Sequence, residues 1–310
     1  MCRFLAYRGR PVLMDELMYQ PKNSLIRQSI AAHESEEPLN GDGFGLGWYA
    51  HGLGSDPGLF VSVRPAWNDR NLRYLAQKIE SDCIFAHVRA ASLGEVSEAN
   101  CHPFHFKNFL FMHNGEVEGF HFIKRYLRRL LSDDIYDWIR GQTDSEHLFA
   151  LFLEQMRRQK GAYTAETMAE ALEETVRIVR ELKAQQGIAE DDYINAAVTD
   201  GRRVVALRYV SNPKERASTL YYAHGAKYEC HDGVAKMTPA HESEHAVLIV
   251  SEKLTTDRSQ WHEIPQNHLL IVEENLATTV RPFRERPRPL AKAPAARKAP
   301  TKKAGAKRSA

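Results

Sequence analysis

The chain has 310 residues, 43% hydrophobic and 26% charged, an ordinary globular composition with enough length for a sizeable core. Arg3, Arg8, Arg10, Asp15 and Glu16 interrupt the first twenty residues, so no secretory leader is expected, and no run of eighteen apolar residues exists to cross a membrane as a helix. The net charge of +2 is uneven: residues 281–310 hold eleven Lys/Arg and one acid, Glu285, which leaves residues 1–280 at −8.

Four cysteines, at 2, 83, 101 and 230, form no regular framework and predict free thiols in a reducing, cytoplasmic setting. Residues 281–310 are rich in Pro, Ala and Lys and carry almost no large apolar side chains. They predict a disordered basic tail that follows a folded domain of residues 1–280. Such a tail attracts polyanions weakly at most, and a plain solubilising role accounts for it as well.

In chain order, "CRFLAYR" and "GFGLGWYA" read as strands. A helix follows in "WNDRNLRYLAQKIES", where Leu72, Leu75, Ala76 and Ile79 share one face. "CIFAHVRA" and "NFLFMHN" are near-continuous apolar runs, as expected of strands covered on both faces. "FHFIKRYLRRLL", "TDSEHLFALFLEQMRR" and "TAETMAEALEETVRIVRELKAQQG" read as helices, the last stopped by Gly187. "YINAAVTDG", "RRVVALRYV", "TLYYAHG", "HAVLIVSE" and "HLLIVEE" add strands. Strands early, helices in the middle and strands late predict one α+β domain rather than alternating βαβ units.

Several short stretches carry chemistry. Cys2 is either a small core residue or, once Met1 is removed, a thiol beside a free amine. The glycines of "NGDGFGLGWY" lack the following helix that a phosphate loop needs. They suit close approach of another segment, either a substrate or the N-terminal strand. In "CIFAHVRAAS", Cys83, Phe85, His87 and Arg89 share one strand face. Arg89, emerging from an apolar strand, calls for an anion: a structural carboxylate or a bound one. "NCHPFHF" has no standard zinc spacing. Asn114-Gly115 in "FLFMHNGE" is either a plain turn or a pair of donors for an oxyanion. "TDSE" fits a capping box of Thr143 with Glu146, and it places Asp144 as an exposed carboxylate in a first helical turn, suited to an ammonium group.

Taken together, these stretches resemble the class II glutamine amidotransferases, a group of N-terminal-nucleophile hydrolases. "PAWNDRNL", "SDCIFAHVRA", "AAVTDG" and "VSEKLT" resemble most the branch that contains the amidotransferase-like subunit of the yeast cytosolic glutathione-degradation complex. The resemblance covers nearly all of residues 2–275. It implies an αββα sandwich of two stacked antiparallel sheets, with no cofactor and no metal. It also implies roles: Cys2 as nucleophile with its own α-amine as base, Asn114 and Gly115 as oxyanion hole, Arg89 for the substrate α-carboxylate and Asp144 for its α-ammonium. Better-known members carry a Thr-His pair soon after the arginine. Here "RAASLGE" follows, with Ser92 the obvious polar candidate.

The implied reaction is hydrolysis of a γ-glutamyl amide, glutamine or glutathione, through a thioester. A free thiol titrates near ~8.5 and an α-amine near ~7.7–8.0, so an N-terminal cysteine carries its own proton acceptor. Two alternatives remain open at this point. One is the γ-glutamyl hercynylcysteine sulfoxide amidohydrolase of ergothioneine synthesis. The other is a non-catalytic binding subunit. The expected partners are a small γ-glutamyl substrate and a peptidase-like protein subunit, with no membrane and no nucleic acid beyond weak contact through residues 281–310.

Overall fold

Along the first strand, Phe4 and Ala6 alternate with Leu5 and Tyr7, and both sets are buried. This is the signature of a strand covered on two faces. The computed structural model describes residues 2–34, 38–91, 94–238, 246–255 and 259–285. The elements run β1 (Arg3–Leu13), α1 (Met14–Met18), α2 (Leu25–Ile30), β2 (Phe44–Trp48), β3 (Gly58–Ser62), α3 (Arg70–Ala76) and β4 (Glu80–Val88). Next come β5 (Phe104–Phe106), β6 (Phe109–Val117), α4 (Phe120–Arg128), α5 (Asp133–Trp138), α6 (Asp144–Arg158) and α7 (Ala165–Gln186). The described chain closes with β7 (Asp192–Thr199), β8 (Val204–Val210), β9 (Tyr221–Gly225), β10 (Lys227–His231), β11 (Val234–Thr238), β12 (Ala246–Val250), β13 (His262–Glu263), β14 (His268–Val272) and β15 (Thr278–Pro282).

One sheet has the order β13-β9-β12-β1-β4-β2-β3, a second has β15-β14-β8-β7-β6-β5, and β10-β11 form a separate hairpin. β1 is internal: Leu5 pairs with Val250 on one side and Ala86 on the other, both antiparallel. The two sheets face each other through Phe4, Ala6, Phe85, Met112, Ala197 and Ile249. On its far side the six-stranded sheet is covered by α4, α6 and α7. The seven-stranded sheet is covered by α1, α2 and α3. The fold is therefore the expected αββα sandwich.

Local chemistry sets the helix ends. Asp69 accepts from Leu72 N–H and starts α3, which stops at Ala76, so Ile79 lies beyond it. Thr164 and Thr167 cap each other at the start of α7, and Gly187, with φ +69°, ends it. The domain boundary expected at residue 280 is displaced. β15 runs to Pro282, Phe283 is buried, and Arg281 and Arg284 pair with Glu173 and Glu166 on α7. These arginines look like tail composition in sequence, but acidic partners some 110 residues earlier hold them. The rest of the basic segment, residues 286–310, lies outside the described residues.

Candidate active site

Cys2 sits one residue ahead of β1, half-buried. Its thiol donates to Ala90 O at 3.2 Å and accepts from Ala90 N–H at 3.3 Å, just past the end of β4. Its carbonyl accepts from Asn114 Nδ2 at 2.9 Å and from Arg3 Nη1 at 2.9 Å. The start of the seven-stranded sheet is thus tied to β6 of the other sheet at this residue. Burial pushes the Cys2 thiol up. The Ala90 N–H and the Arg89 and Arg3 guanidinium groups act against that rise. Met1 lies outside the described residues.

Gly115 follows Asn114 on β6 with φ +140°, and a Cβ there would lie 1.8 Å from Tyr193 O on β7. A close approach of backbones therefore demands the glycine, a stronger reason than an open N–H. The glycines of β2 are explained in the same way. A Cβ on Gly45 would lie 2.2 Å from His102 O. The segment that approaches is thus residues 102–103, not the N-terminal strand, and β2 pairs with β3 and β4.

Arg89 is buried, and its Nη1 donates to Glu95 O at 3.3 Å. Its backbone is pinned on both sides, from Arg89 N to Gly43 O and from Asp42 N to Arg89 O. Asp42 also accepts from Ala91 N–H at 2.9 Å, which fixes the residues that flank the Cys2 contact. Ser92, next in line, lies outside the described residues. Asn100 links this corner to α6: its Nδ2 donates to Glu95 O at 2.9 Å and its Oδ1 accepts from Gln142 N–H at 3.1 Å.

Asp144 opens α6, but it is 4% exposed rather than solvent-facing. Val117 N–H donates to its Oδ2 at 2.8 Å and Ser145 N–H to its Oδ1 at 2.7 Å. The sequence places it correctly in the first turn and misjudges its exposure, because the end of β6 packs onto it. The capping box is half made. Thr143 Oγ1 accepts from Glu146 N–H, whereas the Glu146 carboxylate turns to Arg140 N–H and Gly141 N–H. Ser145 Oγ also reaches His113 Nδ1 at 2.9 Å.

Several residues at this centre carry no role in the sequence reading. Ser251 Oγ accepts from Asn114 Nδ2 at 2.8 Å and from Phe4 N–H at 3.0 Å. Glu252 and Arg3 form an ion pair, each side chain 2% exposed. His87 Nε2 faces Asn114 Oδ1 at 3.0 Å, and its ring stacks on that of His102 with centroids 4.3 Å apart. Burial holds His87 down at about 3, a drop opposed by the Asn114 hydrogen bond, and holds His102 well below the ordinary imidazole range. The strand period could have indicated His87, which shares the inward face of Phe85. A signal for Ser251 or Glu252 would have required knowing that β12 lies beside β1. Among the described residues, no group of three His, Cys, Asp or Glu side chains has the clustering of a metal site.

The sulfur, the Asn114 amide and the backbone that follows Arg89 thus meet at the start of β1. Residues 28–295 match the family described as "Glutamine amidotransferases class-II". The chain belongs to that family. It is 36% identical to "Probable glutamine amidotransferase DUG3" of Saccharomyces cerevisiae over 293 residues, which covers 88% of this chain and 82% of that protein. It is 34% identical over 120 residues to a "Gamma-glutamyl-hercynylcysteine sulfoxide hydrolase" of Mycobacterium tuberculosis, with 38% of this chain and 50% of that protein covered. Among solved structures, a glutamine aminotransferase class-II domain protein from Silicibacter pomeroyi superposes with a TM-score of 0.61 at 25% identity, covering 91% of this chain and 99% of that one. Among the described residues, no helix is long and apolar enough to cross a membrane.

Proposed function

We propose that this chain hydrolyses a γ-glutamyl amide bond, with Cys2 as the nucleophile once Met1 has been removed. The observation that carries this is the double anchoring of Cys2, its sulfur on the Ala90 backbone and its carbonyl on the Asn114 amide. Burial raises the thiol, so the attacking sulfur needs a base beside it, and the α-amine of an N-terminal Cys2 supplies one. The thiolate adds to the γ-carbonyl, and the amine returns the proton to the departing nitrogen. Water then hydrolyses the thioester and releases glutamate.

Asn114 and Gly115 are the donors for the oxyanion. Both Nδ2 hydrogens are engaged in the free protein, one on Cys2 O and one on Ser251 Oγ. The oxyanion shares the hydrogen that faces Cys2 O. Arg89 takes the α-carboxylate and Asp144 the α-ammonium, with Ser92 as a further polar contact. A site built to pair both charges of a glutamyl group rejects amides that lack them by ~10⁴–10⁵.

The donor is of the glutamine or glutathione type, a choice supported by likeness along nearly the whole chain to the yeast protein. Hydrolysis of a γ-glutamyl hercynylcysteine sulfoxide is the second reading, favoured by the shorter match to the mycobacterial hydrolases. A peptidase-like partner subunit and a cytoplasmic location complete the proposal. Protein verified by mass to begin at Cys2 should release glutamate from at least one donor in a panel of glutamine, glutathione and larger γ-glutamyl conjugates. Cys2→Ala should abolish the release. Retention of Met1 in the native protein would instead favour a non-catalytic binding subunit.

A further inference from the structure

We infer that His87 is a positioning residue that fixes which way the Asn114 side-chain amide faces, and so keeps its N–H groups on the Cys2 side. The inference rests on the proposed role of Asn114. Donor and acceptor chemistry forces it step by step. Cys2 O can only accept, so the Asn114 atom 2.9 Å from it is Nδ2. The other terminal atom is therefore Oδ1, which can only accept. Its partner at 3.0 Å, His87 Nε2, must then carry a hydrogen. In a neutral ring this leaves Nδ1 bare, and His87 Nδ1 has no hydrogen-bond partner among the described residues.

The surroundings hold this state. His87 is fully buried and lies against the His102 ring, and Arg89 and His113 are the charged or titratable groups that bear on it. A second proton would put a positive charge in a wholly buried ring beside Arg89, a cost that the His113 backbone hydrogen bond offsets only in part. Without the His87 donor, only the Cys2 carbonyl opposes turning of the amide, and that carbonyl gives up part of its hydrogen bond as the oxyanion forms. Ser251 cannot prevent this, since a hydroxyl donates or accepts as required. His87 can, for as long as its Nε2 carries the hydrogen that faces Asn114 Oδ1.

The test combines substitution with a direct view of the ring. Gln at this position can place an amide N–H where Nε2 lies, Asn reaches only as far as Nδ1, and Leu donates nothing. For glutamate release from glutamine by Met-free protein, His87→Leu and His87→Asn should lower kcat by about 10- to 100-fold with little change in KM. That is less than the ~10²–10³-fold loss on deleting an oxyanion donor outright. His87→Gln should recover most of the rate. In the unsubstituted protein, long-range ¹H–¹⁵N correlation of labelled histidine should show His87 protonated at Nε2 and bare at Nδ1. A ring protonated at Nδ1 would overturn the clamp even if the variants do not fold. Parental kcat in His87→Leu would overturn its catalytic consequence. Absence of glutamate release by the parent is a different failure, that of the proposed function.

Discussion

Replacing Glu252 by Ala would test how the nucleophile is held. Its carboxylate accepts from Asn23 Nδ2 at 2.8 Å and from the His33 and Glu34 N–H groups at 3.0 Å, and lies 3.5 Å from Arg3 Nε. Arg3 in turn donates to Cys2 O. Removing one member of a buried ion pair costs ~3–5 kcal/mol, because the other charge stays buried without compensation. With a urea slope of about 3 kcal/mol/M, the upper end for small proteins, the unfolding midpoint should fall by about 1–1.7 M. The double variant Arg3→Met with Glu252→Leu should lose less than the two single changes added together, since it leaves no orphaned charge. Equilibrium urea unfolding followed by fluorescence measures both. A Glu252→Ala midpoint within about 0.2 M of the parent would refute the argument that this pair anchors the site.

Gly115→Ala should lower turnover by at least ~10²-fold, comparable to loss of an oxyanion donor, because its Cβ would collide with Tyr193 O beside Asn114; parental kinetics would contradict the close approach. Asp144→Asn should raise KM for glutamine more than it lowers kcat, and steady-state kinetics with unchanged KM would remove it from substrate binding. Burial holds His87 and His147 at about 3, so below the unfolded value of ~6.5 the unfolded chain binds more protons than the folded one. Their contribution is full above that value and is lost as pH falls, by about 2 kcal/mol per imidazole between pH 6.5 and 5, and His147→Gln should flatten the fall in urea midpoints; equal midpoints at pH 7 and pH 5 would contradict it. Truncation after residue 285 should leave Tm unchanged, whereas truncation after 280 should lower it by several degrees through loss of buried Phe283 and the Arg281–Glu173 pair; equal Tm values would show that residues 281–285 do not stabilise the domain.

The sandwich was legible where strand and helix periods were strong. β4, β6, β7 and β8 are near-continuous apolar runs, and α6 and α7 carry long apolar faces with capping signals. What stayed hidden depended on distant neighbours. Asp144 looks exposed until β6 packs against the start of α6. Arg281 looks like tail until Glu173 meets it. The glycines of β2 announce a close approach without naming the His102–Pro103 segment. Short elements such as α1, α5 and the β10–β11 hairpin lack enough residues to establish a period. The resemblance pointed to Cys2, Asn114 and Arg89. The hydrogen bonds that orient them, through His87, Ser251 and Asp42, exist only once the two sheets are stacked.

The internal position of β1 has a consequence for biosynthesis. The strand is made first, yet one neighbour, β4, spans residues 80–88 and the other, β12, spans residues 246–250. Until both have left the ribosome, the segment behind Cys2 has no complete sheet to join, and pairings of such long sequence separation form slowly. The proposed exposure of the Cys2 amine would thus act on a segment that has not yet joined its sheet. β1 gains its second neighbour only when the last third of the domain arrives.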